Sequence, residues 1–456
     1  MTRSLFVSLL ATAAIAAPAT AQTSDAALDI LARSIGFKTE KGAGQVPAYA
    51  AYLKDLLVGA GFADSDIVIE PMGETATLTA RWPGSDPALK PIVLLGHMDV
   101  VAADPADWER DPYTAVVENG FVFGRGSVDN KGDIAILTAT LIKLKQSGWT
   151  PRHTLIFALT GDEETDMATT VRLAEQLSDI EMVLNSDAGL AALNDEGQPI
   201  VYELQASEKT YADFSVKVTD PGGHSSRPGA VNAIYRLNAA LARLDGSPFP
   251  VSLDSITSAF LSASAHAVPA PLGQAMRDLV ADPTDPAAAA VITADPQYVG
   301  QIRTTCVATQ ISGGHAPNAL PQQATATINC RILPGVPIAQ IETELNTIFA
   351  DPGVVVTFED SGAIAAPASP LRDDVLAAVT RAVHARAPGL RIVPAMSAGA
   401  TDTSHFRARG IPSYGVGTIF MSPVDDFAHG LNERLPVATI APGMLQWESL
   451  IRSMAD

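Results

Sequence analysis

Six side chains in this sequence are of the types that hold divalent cations and move protons: His97, Asp129, Glu163, Glu164, Asp187 and His429. His97 opens His97-Met98-Asp99. Residues two apart in an extended segment face the same side. Asp99 can therefore accept a bond from one imidazole nitrogen while the other ligates a cation. Taken alone, a His-x-Asp is just as readily incidental. Asp129 stands in Gly124-Arg125-Gly126-Ser127-Val128-Asp129-Asn130-Lys131-Gly132-Asp133, a glycine-dense loop that opens a helix. Such a loop can cradle phosphate, but Asp129 would repel an anion, and the spacing is neither a Walker nor a dinucleotide motif. Close approach to two cations is the better use of this carboxylate. Asp133 reads as a helix N-terminal charge favoured by the dipole. Adjacent acids such as Glu163 and Glu164 raise each other's pKa unless a cation or solvent relieves them. On a metal rim they divide the work: one binds an ion and the other takes a proton from a bound water. Asp187 and the late His429 complete the set, whereas His153, His266 and His384 sit in no polar constellation.

The elements that must carry these residues explain why they would meet. Residues 91–95, 154–160 and 180–184 are continuous apolar runs, as in strands buried on both faces. Each ends in charge: His97 and Asp99 after the first, Glu163 and Glu164 after the second, Asp187 after the third. A helical pattern over 133–144 lies between the first two runs. Strands alternating with helices predict an α/β sheet of largely parallel character. Open α/β sheets bind ligands at the C-terminal ends of their strands. Buried charges converging there need a cation.

Near Glu208 the pattern changes. Residues 211–218 alternate as a half-exposed strand, the turn-rich Pro221-Gly222-Gly223-His224-Ser225-Ser226-Arg227-Pro228 follows, and 230–244 reads as a helix. Residues 246–297 read as an irregular insertion rich in Ala, Pro, Ser and Asp. Strand-like 303–311 and 324–332, a helix over 338–349 and a strand over 354–358 complete a small α+β module. The expected division is a signal segment 1–21, a catalytic domain 22–207 resumed at 362–456, and an inserted module 208–361. The resumed part carries a helix over 371–385 and a strand over 411–416.

Composition sets outer limits. A chain of 456 residues exceeds one core of ordinary size. With 47% apolar residues it belongs to the globular class. A net charge of −20 disfavours nucleic acid and anionic membranes as partners. Arg3, an apolar run over 5–17 and Ala19-Thr20-Ala21 form a signal-peptide pattern with cleavage after Ala21, and the run is too short to span a bilayer. Export permits a disulfide between the two cysteines, Cys306 and Cys330, which face one another if their segments pair antiparallel. Two buried thiols are the alternative.

The ordered series His-x-Asp, Gly-Arg-Gly-x-x-Asp-x-Lys-Gly, Glu-Glu, Asp, Gly-Gly-His-Ser-Ser, Asn-Ala-Leu-Pro, Thr-Asp and His-Gly resembles the co-catalytic zinc peptidase and aminoacylase family. It does so across nearly the whole mature chain. Residues 97–132, Ala400-Thr401-Asp402-Thr403-Ser404-His405-Phe406 and the insertion before Cys306 look closest to the carboxypeptidase S branch. The resemblance implies a ferredoxin-like inserted lid that also serves dimerisation. It implies two zinc ions, one on His97 and Asp187, the other on Glu164 and His429, with Asp129 between them. Manganese or cobalt suit the same oxygen and nitrogen donors. It further implies that Asp99 orients His97, that Glu163 is the general base, and that the Asp129–Asn130 peptide is cis. His224 would steady the oxyanion, often from a partner subunit. Asn318, Arg331, Thr401 and Asp402 would contact substrate, while His315 and His405 carry no secure role. The activity implied is a carboxypeptidase or dipeptidase acting beside a free carboxylate. An N-acyl-amino-acid amidohydrolase is the alternative within the same chemistry. A catalytically silent binding protein is the alternative of another class, and six intact primary positions weigh against it. Location would be periplasmic or secreted.

Overall fold

A computed structural model of the chain describes residues 19–360 and 362–456. Residues 1–18 of the expected export segment lie outside the described residues, and 19–21 enter the helix Ala19–Ile35. The strand Ile92–His97 is buried along its whole length. It lies parallel between Leu155–Thr160 and Met182–Asn185. Its side chains alternate between two cores, as a period of two requires. Ile92 and Leu94 face Ile134, Leu137 and Trp447. Val93 and Leu95 face Leu173 and Phe406. Helices therefore cover both faces, which is why these strands read as unbroken apolar runs.

The large sheet grows outward from this parallel centre. On one side come Thr75–Trp82 and Ile67–Met72, both antiparallel. On the other side Ser413–Gly415 joins Met182–Asn185 in parallel and meets Pro199–Glu208 antiparallel. Ile392–Ser397 runs parallel to Pro199–Glu208. The α/β expectation holds, with antiparallel flanks. Lys131–Gln146, Asp373–Arg386 and the C-terminal Ile440–Ala455 pack together on one face.

A second sheet begins immediately after Glu208. Its strands, in spatial order, are Thr305–Gly313, Gln323–Ile332, Thr210–Thr219 and Val354–Glu359, all antiparallel. The helices Ala233–Asp245 and Ile338–Phe349 cover one face, around Phe214, Leu237, Ile328 and Leu345. Chain order and sheet order together are those of a ferredoxin-like βαββαβ unit. Cys306 stands directly opposite Cys330 in the antiparallel register, and the two sulfurs are bonded.

Two sequence expectations need correction. Residues 246–297 are largely helical, with Ser255–Ser264, Ala270–Ala281 and Pro286–Thr293 surrounding their own core of Leu261, Met276, Leu279 and Ile292. Start signals were present: Asp254 and Thr257 form a capping box, and Asp285 caps a helix that has Pro286 in its first turn. The small residues between them hid the apolar period. The first of these helices packs on Ile392–Ser397 of the large sheet. Asp133 is the second correction. It is 2% exposed, and its carboxylate accepts from the Thr418 N–H at 3.0 Å and the Trp447 Nε1–H at 3.2 Å, and also from the Thr418 hydroxyl. It ties the start of one helix to the middle of another, so packing rather than the dipole explains it. Asp133→Ala leaves these donors without a partner and should lower the unfolding free energy by about 3 kcal/mol. A urea midpoint equal to wild type would contradict this anchoring role.

Candidate metal centre

The C-terminal ends of the parallel strands form the rim of the site. His97 is the last residue of Ile92–His97. Glu163 and Glu164 follow Leu155–Thr160, and Asp187 follows Met182–Asn185. Asp129 sits just ahead of Lys131–Gln146 and is joined to Asn130 by a cis peptide bond, and His429 arrives on the loop beyond Phe420–Met421 with φ of +62°. The decisive geometry belongs to Asp129. Its Oδ1 lies 2.8 Å from His97 Nε2, and its Oδ2 lies 2.9 Å from His429 Nε2. Asp187 approaches the same His97 nitrogen at 3.3 Å, and Glu164 approaches the same His429 nitrogen at 3.0 Å. Three donor triads have their candidate ligand atoms within 4.8 Å: His97–Asp129–Asp187 and Asp129–Glu164–His429, which share Asp129, and His97–Glu163–Glu164.

The electrostatics of the protein groups alone are strained. Burial pushes the Asp187 carboxyl up to about 8, against the pull of His97 and with Asp129 adding repulsion. Burial also raises Glu163 well above the carboxylate range, with Asp187, Asp402 and Glu164 repelling its charge and His97 alone opposing them. Hydrogen bonds to Asp129 and Glu164 hold His429 up to about 10. Burial disfavours the His97 imidazolium, yet Asp187 and Asp129 still lift that group well above its ordinary value. Acids and imidazoles thus share protons in the places where two divalent cations would sit. Carboxylate oxygens and imidazole nitrogens fit zinc, and the surplus of buried acid fits a positive guest.

Asp99 reaches the main chain as well as His97. Its carboxylate accepts the backbone N–H of Glu163 at 3.1 Å and of Glu164 at 3.0 Å, and it stands 3.5 Å from His97 Nδ1. It fixes the Glu163–Glu164 turn first and steadies the imidazole second. Thr401 and Asp402 lie one layer behind the site. Asp402 accepts from the Thr160 hydroxyl at 2.6 Å and from the Thr170 hydroxyl. Thr401 Oγ1 donates to Glu208 at 2.9 Å, and Arg407 pairs with the same buried acid at 2.5 Å. Their neighbours Ala400, Ser404 and His405, but not Thr401 and Asp402 themselves, line a cavity of about 540 Å³.

That cavity joins the candidate cation ligands to the smaller sheet. Glu163, Glu164 and His429 form one wall, with Lys209, Tyr211 and Arg331 opposite and Met167, Ile364 and Ala366 giving an apolar side. The Arg331 guanidinium rests over the Tyr211 ring and donates to the Ala398 carbonyl at 3.2 Å. His224 and Asn318 are exposed and do not line it. They belong to a small hairpin in which His224 opposes Ala319, and the Ser225 N–H donates to the Asn318 carbonyl.

Glu433 was not legible from sequence. It is fully buried, and it accepts from the N–H groups of Gly126, Val128 and Asp129 at 2.8–3.1 Å while pairing with Arg125 at 2.8 Å. Those bonds set the loop that aims Asp129. Its only sequence signal was an acid four residues after His429, with no strand to mark it. Removing a group that orients a ligand typically costs about 10–100-fold in metal affinity. Glu433→Ala should therefore weaken zinc binding by about that factor in a competition titration. Wild-type affinity in the variant would contradict the assignment.

Residues 93–453 match the model of peptidase family M20/M25/M40. The human N-fatty-acyl-amino acid synthase/hydrolase PM20D1 is 30% identical over 371 residues, covering 78% of this chain and 72% of that protein. Carboxypeptidase S of Saccharomyces cerevisiae is 29% identical over 275 residues, covering 56% of this chain and 47% of that protein. Among solved structures, the M20 family metallo-carboxypeptidase Sso-CP2 from Sulfolobus solfataricus superposes with a TM-score of 0.71 at 16% identity, covering 93% of this chain and 98% of that one. Motif order, strand-end geometry and these matches agree: the chain belongs to peptidase family M20/M25/M40.

Proposed function

We propose that this chain is a metal-dependent hydrolase that cuts the amide bond joining a C-terminal amino acid to a short peptide. The observation that carries the reading is the division of the two Asp129 oxygens between His97 and His429. His97, Asp187, Asp129, Glu164 and His429 would hold two divalent cations, zinc in the first place and manganese or cobalt as substitutes. Such ions acidify a water and polarise a carbonyl. Glu163 takes the proton of the attacking water and delivers it to the leaving amine. Burial and the neighbouring acids raise its proton affinity, which suits that relay. Arg331 across the cavity offers a bidentate partner for the free carboxylate of the substrate.

Residues 22–207 and 362–456 would form the catalytic domain, and 208–361 the lid. A homodimer through the lid fits its surface. Thr305–Gly313 is an edge strand with Val307 and Ile311 exposed, and Tyr235 on the adjacent helix is 75% exposed. An unpaired apolar edge of this kind invites a second copy. His224 and Asn318 would then reach the cavity of the partner copy, with His224 donating to the developing oxyanion. The apolar run over 5–17 followed by Ala19-Thr20-Ala21 supports export to the periplasm or medium.

The second reading is hydrolysis of N-acyl amino acids. It is favoured by the similarity to PM20D1 and by the apolar cavity side of Met167, Ile364 and Ala366. Matched dipeptides and N-acyl amino acids, assayed in parallel, decide between them. Faster dipeptide turnover is expected, faster N-acyl turnover replaces the first reading with the second, and no turnover leaves a binding protein. Glu163→Gln should lower kcat by about 10²–10⁴-fold. A variant as fast as wild type would remove Glu163 from the mechanism. His224→Ala and Glu163→Gln proteins, each weak alone, should regain activity when mixed and reassembled. Failure to do so would place His224 outside the partner's site.

A further inference from the structure

His405 stands on the short helix Thr403–Arg407, is only 4% exposed, and lines the cavity of about 540 Å³ beside Ser404. Among the described residues nothing bonds its imidazole, yet neither ring nitrogen is sealed from solvent. In a residue this buried, those nitrogens open into the cavity it lines. Apart from Arg331, the other polar side chains on the walls away from the candidate cation ligands are already matched. The Tyr211 hydroxyl donates to Asp213 at 2.7 Å, and the Ser404 hydroxyl donates to the Thr401 carbonyl at 3.1 Å. Lys209 Nζ donates to the Arg303 carbonyl at 2.8 Å, and Glu208 accepts from Thr401 at 2.9 Å. Arg331 and His405 meet one stretch of chain. Arg331 donates to the Ala398 carbonyl at 3.2 Å, and Gly399, Ala400, Ser404 and His405 continue the cavity wall from there.

Burial and the Arg409 guanidinium hold the His405 imidazole down to about 4, so the ring is uncharged at neutral pH. A neutral imidazole has one N–H to give and one lone pair that accepts. A primary amide answers both, a carboxylate only the first and an ammonium only the second. A hydrocarbon answers neither and leaves the buried ring without a partner. Met167, Ile364 and Ala366 give the stem of such a side chain an apolar surface to lie on. We propose that His405 determines specificity by hydrogen bonding a neutral amide side chain, glutamine or asparagine, on the C-terminal residue of the substrate. This rests on the reading that the cavity receives that residue, and it names the class of residue received.

Isothermal titration calorimetry on the full, zinc-loaded chain tests it with free amino acids, the products of the proposed cut. Of L-glutamine and L-asparagine, at least one should bind about 10-fold more tightly than its apolar counterpart, L-methionine or L-leucine. His405→Phe keeps a ring without nitrogens, and His405→Leu is a second variant of smaller size. Each should lose that preference while keeping affinity for the apolar counterpart, which an unfolded protein would not keep. No preference in wild type, a preference that survives either variant, or tighter binding of L-glutamate than of L-glutamine overturns the assignment. Binding needs no turnover, so the two readings fail separately. Selective binding without hydrolysis removes the proposed function and keeps the His405 contact, and hydrolysis without selectivity does the reverse.

Discussion

Asp129 points one oxygen at His97 and the other at His429, so a single carboxylate joins two sets of ligands. Burial disfavours its charge, but His429 and His97 hold the Asp129 carboxyl well below its ordinary value, and the loop that carries it is held from behind. Glu433 collects three backbone N–H groups of the loop, and Arg125 neutralises Glu433 from within the same loop. On the other side, Asp99 collects the N–H groups of Glu163 and Glu164. Two buried acids thus aim the ligands by binding main chain rather than metal. Fixing candidate ligands this way confines the cost of ordering to folding, so little would remain for the binding of a cation.

The sheets supply the rest of the placement. Parallel strands end on the same rim, so His97, Glu163 and Asp187 meet without any one loop having to be long. The smaller sheet follows Glu208 directly, and the junction is anchored. The buried Lys209 donates through its backbone to Ser397 at 3.0 Å and through Nζ to the Arg303 carbonyl at 2.8 Å. Burial, with Arg331 adding repulsion, lowers that ammonium to about 7. Tyr211 and Arg331 of the cavity lining therefore belong to the smaller sheet, while the acids belong to the larger one.

Much of this was legible because the governing signals were local. Apolar runs capped by acids located three strands and their chemistry together, and alternation located Thr210–Thr219. What escaped was decided by distant partners. Asp133 had the place of a dipole charge, and only Thr418 and Trp447, some 300 residues on, reveal it as a buried anchor. Thr401 and Asp402 sat in a motif that implied substrate, but side-chain direction is not written in a motif, and their hydroxyl and carboxyl turn inward. Glu433 had no pattern at all. The helices over 255–293 were obscured by alanine, which satisfies a core without marking its face. His224 and Asn318 sat in motifs that implied the site, but the hairpin that carries them leaves both exposed outside the cavity.

The shared role of Asp129 is open to one direct observation. Crystals of the zinc-loaded protein, measured on both sides of the zinc absorption edge, would show where the cations lie. Two anomalous peaks are expected, one between Asp129, His97 and Asp187 and the other between Asp129, Glu164 and His429. A single peak, or peaks that leave Asp129 bound to only one ion, would contradict the two-cation centre on which the proposed chemistry rests.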